Sequence, residues 1–185
     1  MARLIHLILL LLELRGLRLS LSNRKWQTLL VFYTQLSNLL TVLASLLLVL
    51  LGQPPWVTVL RYASVCMLIM TFFVTTCVLV PMGGDPKKLL FSGNGLYHHL
   101  LCPVLSTLSY FLVEAHAAAD AILLPLGLTL IYGLVMLDLN RRRIIDGPYS
   151  FFRVYKQTKR ATVLWFLALL CAIAAISAGI WALAK

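Results

Sequence analysis

Acidic residues are scarce. The 185-residue chain has six of them against sixteen lysines and arginines; charged residues make up 12% of it, and 61% of it is hydrophobic. A soluble domain carries about 25% charged residues, so this composition excludes a water-soluble core and makes lipid the solvent. The length leaves room for one domain and no separate soluble module. Motifs of soluble enzymes are missing too: there is no GxGxxG, Walker loop, GxSxG or HExxH. No CxxC pair occurs. Cys66, Cys77, Cys102 and Cys171 all lie inside apolar segments, as small hydrophobes do, which argues against a disulfide framework or a cysteine metal site. The first apolar run, Leu4 to Leu12, leads into Glu13 and Arg15 and not into a small-residue cleavage site, unlike a cleavable signal peptide.

Long apolar runs are what the chain has. Six spans are expected, over 4–21, 26–51, 56–82, 93–114, 117–139 and 161–184. The first is the weakest, because Glu13, Arg15 and Arg18 interrupt it. The others reach the ~20 residues that cross a bilayer. Gly52-Gln53-Pro54-Pro55, Gly83-Gly84-Asp85-Pro86 and Gly147-Pro148 punctuate them. The fold expected is an all-α, polytopic membrane bundle of about six helices forming a single domain.

The net charge of +10 sits between the apolar runs and forms no basic face, which excludes nucleic acid as a partner and points to membrane lipids. Thirteen of the sixteen basic residues fall in the loops after spans one, three and five; Arg3, Arg61 and Lys185 fall on the other side. Those three loops are expected in the cytoplasm, with the protein in the plasma membrane. Trp26, Trp56 and Trp181 lie near span ends, as interfacial anchors do. The stretch 141–160 mixes Arg and Lys with Tyr149, Phe151, Phe152 and Tyr155. It reads either as a segment lying on the membrane surface or as a plain positive loop.

Polar residues kept in lipid are the candidates for function. Thr34, Asn38, Thr41 and Ser45 follow helical spacing and line one face of span two. Such a stripe either glues helices together or lines a site. Span four opens on adjacent histidines, His98 and His99, whose directions differ by about 100°. Four histidines, His6, His98, His99 and His116, contain no i, i+4 pair, so no metal site is expected and none of the chemistry below calls for a cofactor. Thr34 lies about 13 Å along its helix from Lys25, and His98 about 8 Å from Gly93. These depths are compatible with a hydroxyl nucleophile and an imidazole base on neighbouring helices. Span five brings Tyr132 to the depth of Thr34, as an oxyanion donor or a packing residue. It brings Asp138 to the mouth near His98, as an orienting carboxylate or an interface residue.

Tyr33-Thr34-Gln35-Leu36-Ser37-Asn38 resembles the threonine helix of the androgen-induced-protein family, which includes the androgen-dependent regulator of tissue factor pathway inhibitor. His98 followed five residues later by Pro103 resembles that family's histidine segment. Gly147-Pro148-Tyr149-Ser150-Phe151-Phe152 resembles its Tyr-Pro-Phe loop, with Ser150 where Pro is common. The resemblance covers about residues 26–160. It implies an intramembrane threonine hydrolase of lipid-like esters, such as fatty acid esters of hydroxy fatty acids. Carried over, the nucleophile is Thr34 and the base His98, with His99 the rival if the register slips. The supporting residues expected are Asn38, Tyr132 and Asp138, and Arg141, Arg142 or Arg143 would hold a substrate carboxylate. The alternative is a non-enzymatic membrane scaffold or lipid-binding protein. A transporter is disfavoured because no broken helix pair or duplicated half is visible. The sequence sets no oligomeric state.

Overall fold

The computed structural model describes residues 1–23 and 25–185, without the side chains of Asn23, Trp26 and Gln27. The expectations for Arg24 as a loop charge and for Trp26 as an anchor lie outside the described residues.

Six long helices follow one another: α1 (Ala2–Asn23), α2 (Tyr33–Leu51), α3 (Pro55–Leu79), α4 (Gly93–Val113), α5 (Ala119–Arg141) and α6 (Lys159–Leu183). The last five are long and apolar enough to cross a membrane, and among the described residues there is no strand. The chain is a multi-pass helical membrane bundle. Its burial is inverted relative to a soluble protein. On α2 the buried residues include Thr34, Gln35, Ser37, Asn38, Thr41 and Ser45, while Leu43, Leu46, Leu50 and Leu51 are exposed. In lipid, exposed leucine carries no penalty, and polar groups must find partners inside.

The breakers act as their chemistry dictates. Gly52 takes a left-handed φ of 77° to end α2, and Pro55 opens α3 at a position where no N–H is needed. Thr158 caps α6, its hydroxyl accepting from the Ala161 amide at 3.1 Å. α3 is buried along most of its length and forms the centre. α6 is buried only at Ile173, Ser177 and Ile180 and forms the rim.

Two elements differ from the sequence expectation. The second span does not run unbroken from residue 26. A short turn, Trp26–Leu29, precedes a break, and α2 starts at Tyr33. Tyr132 of α5 stabilises that break: its hydroxyl donates to the Val31 carbonyl at 2.8 Å and accepts from the Tyr33 amide at 3.1 Å. The first span, weakest by composition, is a 22-residue helix lying along α2 and α4. His6, Leu9, Glu13, Gly16 and Ser20 are its buried stripe, and Arg3, Arg15 and Arg18 face outward. Its polar residues therefore serve as contacts within the bundle.

Alternating helix directions gather the three basic loops at one end, here called the basic end. The chain termini, Gln53 and Glu114 lie at the far end. The antiparallel pairing shows in the cross-helix contacts: His6 meets Ser45 at the far end, and Gln35 meets Ser20 at the basic end.

Candidate functional site

Two polar regions lie on opposite sides of the start of α2. Consecutive helical residues point about 100° apart, so Thr34 and Gln35 face different neighbours.

Thr34 faces a cleft between α2, α3, α5 and α6. The cleft encloses about 540 Å³ of space between atoms, part of it open to the surroundings. The part of it that a water-sized molecule can reach is about 40 Å³, so the cleft is narrow as it stands. Its lining is mostly apolar, with Met70, Val74, Phe166 and Leu169 among the residues, and the hydroxyl-bearing residues on it are Tyr33, Thr34, Thr71, Thr75, Thr129, Tyr132 and Tyr149. The Thr34 Oγ1 lies 3.3 Å from the Tyr149 hydroxyl. Tyr149 belongs to the loop before α6, where the short turn Ser150–Phe152 drives Phe151 and Phe152 into the bundle. Tyr149 stacks on Phe151 with ring centroids 5.1 Å apart. Asn140 anchors the loop: its amide donates to the Ile145 carbonyl at 3.0 Å, and its Oδ1 accepts from the Val154 amide at 2.9 Å. The expectation that this stretch lies on the membrane surface is corrected at Phe151 and Phe152, which are protein core.

Gln35 faces the other way, toward α1 and α4. Its Nε2 donates to the His98 Nδ1 at 3.3 Å and to the Ser20 hydroxyl at 3.3 Å. His98 is fully buried. It sits in a π-helical turn, Leu96–Leu101, just before Pro103. A proline there lacks the N–H and crowds the carbonyl four residues back, so the turn widens. Gly16 of α1 makes the room, because a Cβ there would collide with the His98 imidazole. The His98 Nε2 points at α1, 3.5 Å from the Glu13 carbonyl and 3.7 Å from a Glu13 carboxyl oxygen. His99 turns away from this cluster and donates through Nδ1 to the Leu89 carbonyl at 2.8 Å.

Several site expectations meet a different arrangement. Thr34 and His98 share no hydrogen bond; Gln35 stands at the imidazole nitrogen nearest α2. Asn38 donates to the Thr34 carbonyl at 2.6 Å but lines the small void beside Glu13 and His98, not the Thr34 cleft. Tyr132 lines the cleft, but its hydroxyl donates to Val31, and the hydroxyl beside Thr34 Oγ1 is that of Tyr149. Asp138 does not orient His98. It is exposed and pairs with Arg142 at 2.8 Å, one helical turn on. Glu13 occupies the place given to Asp138. Arg143 lies over the Tyr155 ring at 4.5 Å, and the Tyr155 hydroxyl donates to the Arg141 carbonyl. None of the three arginines lines the cleft.

A further cluster at the far end escaped the sequence reading. Arg61 is buried, and its Nε lies 2.8 Å from Glu114. It also donates to the Ser64 hydroxyl at 3.0 Å, the Ser106 hydroxyl at 2.9 Å and the Ser106 carbonyl at 2.7 Å. His6 bridges Glu114 and Ser45, each at 2.9 Å. The signal available was an arginine inside an apolar span, whose cost demands a buried carboxylate.

Comparison with family models, with curated proteins and with solved structures finds no match.

Proposed function

We propose that the protein is an intramembrane hydrolase of lipid-like esters, with Thr34 as nucleophile and His98 as base. The observation that carries this reading is a buried hydroxyl, Thr34, at the wall of a mostly apolar cleft between α2, α3, α5 and α6. The motif resemblance around Thr34, His98 and the 147–152 loop adds to it.

In this reading the substrate enters from lipid and lays its chain against α3, α5 and α6. The Thr34 oxygen bonds to the ester carbonyl carbon while its proton passes to His98 Nδ1. Gln35 has to swing off that nitrogen for the transfer. The Tyr149 hydroxyl donates to the developing oxyanion. The alcohol leaves with the proton, water attacks the acyl-threonine, and the free acid departs. No cofactor enters these steps. The basic end faces the cytoplasm and the protein lies in the plasma membrane, following the bias of lysine and arginine. Cysteine labelling at Lys87 and Arg142 on one side, and at Gln53 on the other, is the outcome expected in a background lacking native cysteines.

The second reading is a non-enzymatic lipid-binding membrane protein. It is favoured by the missing contact between Thr34 and His98. Turnover of long-chain esters by purified protein separates the two. The hydrolase reading expects Thr34→Ala and His98→Ala each to fall to background, Thr34→Ser to keep partial activity, and the double variant to lose little more. Ester binding without turnover in wild type supports the lipid-binding reading instead.

A further inference from the structure

We propose that Glu13 is the positioning residue for His98, holding it as the Nε2–H tautomer so that the Nδ1 lone pair faces α2. This deepens the hydrolase reading and rests on it for its catalytic consequence.

Glu13 is 1% exposed, and neither of its oxygens accepts a hydrogen bond of ordinary geometry. The thiol of Cys102 lies beside it, but a thiol is a weak donor. An orphaned carboxyl inside a membrane bundle is costly, and such groups mark functional positions. The Asn38 Oδ1 is orphaned as well and borders the same void, together with Gln35 and His98. Leu17, Leu39 and Val42 make up the rest of its lining.

The partners fix which nitrogen carries the proton. The Glu13 carbonyl lies 3.5 Å from Nε2 and can only accept from it, and a carboxyl oxygen of the same residue lies 3.7 Å away on the same side. The Gln35 amide lies on the Nδ1 side and can only donate to it through Nε2, at 3.3 Å. An Nδ1–H tautomer would set donor against donor at Gln35 and leave Nε2 facing acceptors. In the hydrolase reading Glu13 would take the part of a triad's carboxylate, on the imidazole nitrogen away from the nucleophile. When Nδ1 takes the Thr34 proton, the imidazolium forms beside Glu13. The other ionisable groups nearby are His99 and Cys102 on α4 and Arg61 on α3; none is an acceptor aimed at Nε2.

The test has two arms on the full-length protein in lipid nanodiscs. Imidazole 15N NMR, with the His98 signal identified by its loss in His98→Gln, should show the Nε2–H tautomer in wild type. An Nδ1–H signal overturns the proposal, whatever the protein does to esters. In the kinetic arm Glu13→Gln should lower kcat by 10-fold or more with KM nearly unchanged, and Glu13→Asp should recover part of the loss. Unchanged kcat in a folded Glu13→Gln also overturns it. If that variant does not fold, the Glu13→Asp kinetics decide the arm, since a shortened carboxylate should lower kcat and a bystander should not. Wild type that shows the Nε2–H signal but hydrolyses no ester contradicts the hydrolase reading and leaves the tautomer assignment standing.

Discussion

The two ends of the α1 interface are built from the same residue types and solve the same problem differently. At the far end His6, Glu114, Arg61 and three serines interlock, and the carboxylate meets a guanidinium at 2.8 Å. At the basic end Glu13 meets an imidazole at 3.7 Å, and its two oxygens and the Asn38 Oδ1 lack hydrogen-bond partners. A membrane bundle cannot leave polar groups exposed to lipid, so both clusters face inward. Only the first is closed by opposite charge. The contrast is one of charge: the far cluster sets a guanidinium against its carboxylate, whereas the basic-end cluster holds a buried carboxyl with only an imidazole beside it.

The largest expected effect breaks the closed cluster. Arg61→Met leaves Glu114 buried with His6 alone, and it should cost about 3–5 kcal/mol, the range for stripping one partner from a buried pair. Thermal unfolding in detergent checks this. Glu13→Gln is the counterpart. No cation is lost there, so the melting temperature should stay close to wild type. A matching loss in both variants would erase the difference between the two ends.

Gly16→Ala comes next. The added methyl group collides with the His98 imidazole. Overpacking of this kind costs about 1–3 kcal/mol. The same substitution at Gly179, where a Cβ meets nothing within 4 Å, should be silent. Equal melting temperatures for the two variants would show that α1 and α4 do not approach as described.

Tyr132→Phe removes the hydroxyl that bridges Val31 and Tyr33 across the break before α2. The expected loss is about 0.5–1.5 kcal/mol, with faster amide exchange at Tyr33 as the local readout. Protection at Tyr33 unchanged by the substitution argues against this bridge.

Much of the fold was legible because lipid imposes a simple rule. Long apolar runs become helices, and Gly and Pro clusters end them, as at Gly52 and Pro55. The polar stripe Thr34, Asn38, Thr41 and Ser45 could be placed on one face by spacing, and all four are buried. Spacing could not say what each residue faces. Thr34 and Asn38 share a stripe yet border different spaces, because one looks toward α3 and the other toward α1. The role of α1 was hidden by its composition: Glu13 counts against a span in a hydropathy window, whereas on the folded helix it is the residue beside His98. Depth arguments brought Asp138 to the correct end but not to the correct neighbour, since Arg142 one turn away captures it first. Tyr149 was hidden in a basic loop. Its placement depends on Phe151 and Phe152 burying themselves, a tertiary event with no local periodicity to announce it.

The account turns on Thr34 being a nucleophile and not a packing residue. The direct measurement is covalent labelling of the purified protein by a lipid-tailed fluorophosphonate, with the modified residue located by peptide mass spectrometry. Labelling on Thr34 is the predicted result; it is lost in Thr34→Ala, kept in Thr34→Ser and weakened in His98→Ala, while the melting temperature of Thr34→Ala stays near wild type, since a membrane side-chain hydrogen bond is worth only about 0.6 kcal/mol. Equal labelling of wild type and Thr34→Ala, or no labelling of a folded wild type that turns over no ester, would contradict it and return the α2 stripe to helix packing.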